Sequence, residues 1–302
     1  MRFVKMHGLG NDYVYVDGFR ETVDDPPSAA RRLADRHFGI GGDGLILLLP
    51  PEPGVDAHVR MRMFNADGSE AEMCGNGVRC VCKLAYDHEA TPGIRDHNPM
   101  RIQTGAGVLS LRYLLGATGR VERVTVDMGA PELDVGRIGV NLPDGARAID
   151  YPAMQHFAFP GDLPDNWAHH CAMEGGMTCI GMGNPHAVFF CESVADVPLE
   201  RVGPAIERAS IFPNRINVHF VQVHDRAEMT MRTWERGSGV TLACGTGAAA
   251  VCVAAALTGR ADRAALIHLP GGDLELAWDE PSGHVFMTGP AVEVFTGEWH
   301  PR

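Results

Sequence analysis

The segment MRMFNADGSEAEMCGNG at residues 61–77 returns without a gap 170 positions later as MRTWERGSGVTLACGTG. Both copies hold Cys-Gly-x-Gly, at Cys74 and Cys244, and other landmarks keep nearly the same offset. GLGN at 8–11 recurs as GMGN at 181–184, which is 173 positions on, and each precedes a strand-like segment, YVYVD or AVFF. Gly44, before LILLL, stands opposite Asn217, before VHFVQV, again at 173. A period near 170 is far above the roughly 20–50 residues of repeat arrays. The pattern reads as one domain duplicated within 302 residues, a length that gives each half its own core.

The helix expected after Cys244 has no polar face from Gly247 to Leu257, so the fold must cover it on every side. Strand-like segments dominate both halves: RFVKMH, YVYVD, LILLL and HVRMRMF in the first, AVFF and VHFVQV in the second. The economical fold class is α+β, with two similar domains related by internal duplication. Each is a mostly antiparallel sheet rolled around a central helix, and the active site lies in the cleft between them. One further helix is expected after Pro26-Pro27, with Ser28 as its N-cap and ARRLADRHF as its body. Residues 160–175 have no counterpart in the first half and read as an inserted loop.

Composition removes whole classes of function. Lys plus Arg number 26 against 38 Asp plus Glu, a net charge of −12, the opposite of a nucleic-acid footprint. The longest strongly apolar stretch, Ala248 to Leu257, is about half a membrane span, and MRFVKMHGLGND lacks the apolar core of a signal peptide. A cytoplasmic protein is expected, with neither nucleic acid nor membrane as partner. The eight cysteines read as thiols of a reducing compartment, because a chain of this size needs no disulfide frame. Only Lys5 and Lys83 are present, which leaves a Schiff-base cofactor almost nowhere to attach. No cofactor and no metal are expected.

In CGNG and CGTG each cysteine precedes Gly-x-Gly and then a helix. First-turn N–H groups and the helix dipole lower a thiol pKa from about 8.5 there and attract a carboxylate. One such thiol suggests a nucleophile. Two, placed equivalently by duplication, suggest a pair that works on one atom from two sides. Inversion at a carbon stereocentre needs that arrangement, since a base takes the Cα proton from one face while an acid supplies another to the opposite face. Each pKa unit between that C–H and its base adds about 1.4 kcal/mol, whereas one preorganised oxyanion donor returns about 3 kcal/mol. Several N–H groups from two helix ends, aimed at a substrate carboxylate, are therefore the expected electron sink.

At these residues the chain resembles the diaminopimelate epimerase family, cofactor-independent isomerases that interconvert LL- and meso-diaminopimelate in lysine and peptidoglycan precursor synthesis. KMHGLGNDYV, FNADGSEAEMCGNGVRC, GMGNPH, RINVHF, WERGSG, ACGTGA and LPGG follow family segments in family order, essentially end to end. The resemblance implies Cys74 and Cys244 as two acid–base residues, one thiolate and one thiol, which exchange roles with direction. Backbone groups at Gly75, Asn76, Gly245 and Thr246 would hold the carboxylate at the reacting carbon. Asn11, Asn65, Asn184, Asn217 and Arg236 would bind substrate, the last four chiefly at the distal end that does not react. Glu235 and His186 would tune the thiols, with Glu235 close to the substrate, and Arg236 can pair bidentately with a carboxylate. Only the resemblance sets the domain boundaries, 1–127 plus 290–302 around Cys74 and 128–289 around Cys244. Some relatives have a side-chain amide where this chain has Gly44, so no contact is carried over there. The expected partner is a small-molecule amino-acid substrate, and a homodimer is left open.

Blander readings stand beside these. Cys80, Cys82, Cys252, Cys179 and Cys191 read as core residues and Cys171 as incidental. GIGGDG fits G-x-G-x-x-G, yet its order of helix, glycines and strand is the reverse of a dinucleotide fingerprint. Neither Cys74 with Cys80 and Cys82 nor His169, His170 and Cys171 has zinc-ligand spacing. Asn65, Asn184 and Asn217 also suit turns, and Glu235-Arg236 suits a solvated pair. The competing functions are a racemase for proline or histidine, which would leave the asparagines and Arg236 unpaired, a thiol–disulfide redox protein, and a catalytically silent binding module.

Overall fold

A continuous apolar run such as LILLL needs cover on both faces, and the computed structural model supplies it. The structure describes residues 1–143, 145–161, 163 and 166–300. The chain divides into two compact units, Met1–Asp127 with Thr288–Arg302, and Met128–Met287.

The first unit runs β1 (Arg2–Gly8), β2 (Asn11–Asp17), α1 (Pro26–Ala34), β3 (Gly44–Leu49), β4 (Val59–Asn65), β5 (Glu70–Ala71), α2 (Gly75–Asp87), β6 (Met100–Thr104), β7 (Gly107–Leu115) and β8 (Val121–Asp127). Pairing is antiparallel for β1–β2, β3–β4, β4–β5, β6–β7 and β7–β8, and parallel for β2–β3 and β4–β6. A parallel pair needs a crossover, and α1 fills the one between β2 and β3. Val14, Val16, Leu45 and Leu47 pack with Ala30 and Leu33 of α1 on one face of the sheet. The alternate residues Tyr15 and Ile46 turn to the other face, where the Tyr15 hydroxyl lies 3.4 Å from Gly77 O and Ile46 lies beside Gly77. Both sides of LILLL are thereby covered, α1 outside and α2 inside.

The start of α1 differs from the expectation. Asp25, not Ser28, is the N-cap, and its carboxylate accepts the Ser28 N–H at 3.1 Å. Pro26 and Pro27 have no N–H to leave unpaired and suit a first turn, so the helix begins before Ser28. It also ends earlier, at Ala34, because Asp35 takes the N–H groups of His37 and Phe38 instead of continuing the helix.

The second unit runs α3 (Val135–Ile138), β9 (Tyr151–Pro152), α4 (Trp167–His170), β10 (Met173–Gly181), β11 (Pro185–Cys191), α5 (Leu199–Glu207), β12 (Asn217–Asp225), β13 (Glu228–Glu235), β14 (Gly239–Thr241), α6 (Gly245–Leu257), β15 (Ala264–Leu269), β16 (Gly272–Trp278) and β17 (Val285–Pro290), after which β18 (Val292–Glu298) pairs with β1. From β10 to β16 the pairings repeat those of β1 to β7: β10–β11, β12–β13, β13–β14 and β15–β16 antiparallel, β11–β12 and β13–β15 parallel. Here α5 fills the parallel crossover, with Leu199, Val202 and Ile206 packed with Phe189 and Phe220.

Each unit thus wraps a sheet around one helix, as the duplicated sequence requires. Strands β1 to β4 and β6 to β8 contact α2; β10, β11, β12, β15 and β16 contact α6. Residues 247–255 are fully buried. The cover on α2 is less uniformly apolar, since Arg79 and Lys83 are buried within it and Lys83 pairs with Asp87 at 2.7 Å. The segment 160–175 is more than a loop. Asp162, Pro164 and Asp165 lie outside the described residues, but Trp167 opens α4 and packs edge-on against Phe159 and Phe220, and Cys171 is fully buried. No described helix is long and apolar enough to cross a membrane.

Burial of residues 247–255 of α6 leaves no room for larger side chains there. Ala250→Leu is expected to cost about 1–3 kcal/mol in urea denaturation, whereas Phe38→Ala, at a side chain 94% exposed, should stay within about 0.5 kcal/mol. An Ala250→Leu protein as stable as the native one would mean that the helix is not packed on that side.

Candidate active site

In the first unit, Cys74 takes an extended conformation (φ −140°, ψ 118°) and caps α2. Its sulfur accepts the Gly77 N–H at 3.3 Å, and its thiol donates to Asn11 Oδ1 at 3.3 Å. The N–H groups of Gly75 and Asn76 belong to the first turn, where no intrahelical acceptor exists. Asn11 opens β2, and its Nδ2 donates to Asp43 Oδ2 at 2.7 Å. The Asn76 side chain accepts from Arg79 Nη2 at 2.8 Å, and Arg79 also donates to the Gly75 carbonyl. Burial lowers the Arg79 pKa, while Cys80, Cys74 and Tyr15 act against that fall. Asn65 ends β4, with its Nδ2 donating to Ser69 Oγ at 3.0 Å. It pairs with Gly44, where an added Cβ would lie 2.0 Å from the Phe64 carbonyl oxygen. No side chain fits at that position.

In the second unit, Cys244 caps α6 with the same extended backbone (φ −126°, ψ 102°). Thr246 Oγ1 lies 3.7 Å from its sulfur, and Gly245 and Thr246 supply the first-turn N–H groups. Glu235, at the end of β13, accepts from the Thr241 hydroxyl at 2.6 Å. Burial raises its pKa, and hydrogen bonds from Thr241 and Cys244 oppose the rise. Asn217 ties two strands together, with its Nδ2 donating to the Pro185 carbonyl and its Oδ1 accepting the Arg236 N–H, both at 2.9 Å. The Arg236 side chain donates to the Asn214 carbonyl at 3.0 Å.

Asn184 and His186 belong to a chain of bonds that the sequence reading did not include. Asn184 Oδ1 meets His186 Nε2 at 2.8 Å, His186 Nδ1 meets His219 Nε2 at 2.9 Å, and His219 Nδ1 meets Thr233 Oγ1 at 2.9 Å. His219 sits directly against the cysteine helix, since a Cβ on Gly247 would lie 2.4 Å from His219 Cε1 and 2.9 Å from the Cys244 sulfur. Only glycine permits that approach. A sequence signal did exist, because His219 is two residues after Asn217 and so shares its face of β12.

Among the described residues, His186, His219 and Cys244 also bring ligand-type atoms within 4.8 Å of one another. The two imidazole nitrogens are 2.9 Å apart, closer than the roughly 3.3 Å that bonds of about 2.05 Å to tetrahedral zinc imply. The group is a hydrogen-bonded relay. The other cysteines are inert thiols: burial pushes Cys80 up to about 11 and Cys191 and Cys252 up to about 12, and raises Cys82, Cys179 and Cys171 as well.

Burial lowers the pKa of His186 well below its ordinary value and pushes His219 down to about 3. The unfolded imidazoles take up protons near pH 6.5 while the folded ones do not, so stability present above about pH 6.5 is lost as the pH falls. Each such imidazole costs up to about 1.4 kcal/mol per pH unit in that range. The urea midpoint should therefore drop between about pH 7 and pH 5, and drop less in a His186→Gln/His219→Gln protein. Equal slopes would mean that the imidazoles are not held neutral.

The diaminopimelate epimerase family model matches residues 3–133 and 178–294. The diaminopimelate epimerase of Desulfovibrio desulfuricans is 49% identical over 300 residues, covering 99% of this chain and 98% of that one. That of Methanococcus maripaludis is 45% identical over 298 residues, covering 99% of each. Among solved structures, a PhzF-family phenazine biosynthesis protein from Bacillus anthracis has a TM-score of 0.66 at 15% identity, covering 100% of this chain and 99% of that one. A probable proline racemase from Agrobacterium radiobacter has a TM-score of 0.63 at 15% identity, covering 99% and 92%. At such identities the structures share the fold alone. With sequence matches that run nearly end to end, the chain belongs to the diaminopimelate epimerase family.

Proposed function

We propose that this protein interconverts LL- and meso-diaminopimelate, with Cys74 and Cys244 as the two acid–base groups. The observation that carries the roles is the equivalent placement of the two cysteines as extended N-caps of helices, each wrapped by the same order of strands. In one direction a thiolate takes the Cα proton and the other thiol supplies a proton to the opposite face. In the reverse direction the roles exchange. Two protons move, no bond to a cofactor forms, and each thiol ends in the state the other began with.

The substrate carboxylate gathers charge as the proton leaves. First-turn N–H groups at Gly75, Asn76, Gly245 and Thr246 are preorganised for it, and at about 3 kcal/mol for each well-aimed donor they offset several pKa units of C–H weakness. Glu235 and His186 flank Cys244 and tune its charge. Arg236, with Asn65, Asn184 and Asn217, serves the distal amino acid end, where a guanidinium pairs with a carboxylate through two parallel bonds. Lysine precursor synthesis is the setting of such a reaction.

The test is exchange of the Cα proton of LL-diaminopimelate with deuterated water, without added cofactor. Cys74→Ala and Cys244→Ala should each lower net inversion by about 10²–10⁴-fold. Native-rate inversion in either variant would refute the two-thiol assignment, and dithiol turnover without exchange at carbon would mark a redox protein. Arg236→Ala should lower kcat/KM on the order of 10²-fold or more; an unchanged value would remove Arg236 from the site.

A further inference from the structure

The two halves differ in the polar groups near each cysteine. Asn11 and Asn184 are equivalent by the 173-residue offset, yet their side-chain oxygens do different things. Asn184 Oδ1 meets His186 Nε2 at 2.8 Å, whereas Asn11 Oδ1 accepts from the Cys74 thiol at 3.3 Å. What fixes Asn11 is Asp43. Its Oδ2 accepts from Asn11 Nδ2 at 2.7 Å and from the Asp12 N–H at 3.0 Å, and its Oδ1 accepts from Arg36 Nη2 at 3.1 Å. Arg36 in turn holds Asp12 at 2.7 Å, and Asp12 pairs with the buried Lys5 at 2.5 Å. The glycines of GIGGDG bring Asp43 back from α1 to the start of β3. The same offset places Ile216, fully buried, opposite Asp43, so the equivalent position in the second unit carries no carboxylate.

An amide can present either end to a sulfur, and the two ends have opposite consequences. Its N–H donates and favours a thiolate, while its oxygen accepts and favours a thiol. A carboxylate accepts only, so Asp43 requires Nδ2 on its side and Oδ1 on the side of Cys74. We propose that Asp43 is a positioning residue that locks the Asn11 amide and so keeps Cys74 protonated at rest, ready to act as the acid. This rests on the two-thiol reading and adds which thiol carries the proton before substrate arrives. The Cys74 sulfur also accepts the Gly77 N–H at 3.3 Å, which is common to every variant below, and Cys74 interacts with Arg79 and Cys80 of α2 and with Tyr15 of β2. Tyr15 and Cys80 are kept neutral by burial, and Arg79, which favours the thiolate, is common to every variant below.

The test is the rate of Cys74 alkylation by iodoacetamide against pH in the full-length protein, followed at that residue by mass spectrometry. In the native protein the midpoint should lie above about pH 7.5, and a midpoint below that overturns the proposal. Asp43→Asn frees the amide to turn, and alkylation at neutral pH should rise about tenfold, one pH unit in the midpoint. In an Asn11→Ala background the same substitution should change the rate less than about twofold, because there is no amide left to turn. A tenfold rise in both backgrounds would mean that the charge of Asp43 acts through space, and no rise in either would mean that it does not act; both overturn the lock. Asp43→Ser repeats the cycle if Asp43→Asn melts without cooperativity, and the native profile decides if both do. Alkylation does not depend on turnover, so inversion that survives in Cys74→Ala would sink the two-thiol reading without touching this measurement.

Discussion

A helix without a polar face can exist in water only if something surrounds it, and that requirement organises each unit. A flat sheet covers one side of a helix; a sheet that curls around it covers the rest. Because the strands must then be apolar on the helix side and also meet α1 or α5 on the other, β2, β3, β11 and β12 are buried on both faces, as LILLL and AVFF are in the sequence. The wrapping buries the length of the helix and leaves its first turn as the place where N–H groups have no helical partner. A cysteine at that N-cap is held by the packing of the entire unit. The placement of each cysteine thus depends on a burial constraint that runs the length of its helix.

Much of this was legible in the sequence because duplication supplies an internal comparison. Cys74 alone is a small apolar residue before two glycines. Its repetition as Cys244, at nearly the offset of the other landmarks, weighs against the bland reading, and the duplication foretold the repeated pairing order of β1–β7 in β10–β16. What the sequence concealed were contacts between residues distant along the chain. Asp43 was not singled out within GIGGDG, and the structure sets it 2.7 Å from the Asn11 amide. His219 was hidden in the alternation of VHFVQV, and only the close approach of Gly247 reveals that it faces the cysteine helix. Ser28 failed as a cap because Pro26 and Pro27 start a helix without needing one there.

Divergence between the halves is as informative as their likeness. Equivalent asparagines, Asn11 and Asn184, keep their backbone turns but serve different partners, a thiol in one unit and an imidazole in the other. Around Cys74 the polar neighbours lead outward to a network of Asp12, Asp43, Arg36 and Lys5. Around Cys244 burial lowers the pKa of His219 and His186 and raises that of Glu235. In a two-base reaction one thiol holds a proton that the other lacks, and unlike surroundings bias which of the two holds it at rest.

The central claim is that separate groups take and give the proton. Its most direct test is the isotope content of the first product formed from protiated LL-diaminopimelate in deuterated water, before appreciable reversal. Two separate bases place solvent deuterium at Cα of the earliest meso product while the remaining substrate stays protiated. Product that retains the substrate's own proton, or substrate that acquires deuterium as fast as product forms, would show one group working both faces and would contradict the two-thiol mechanism.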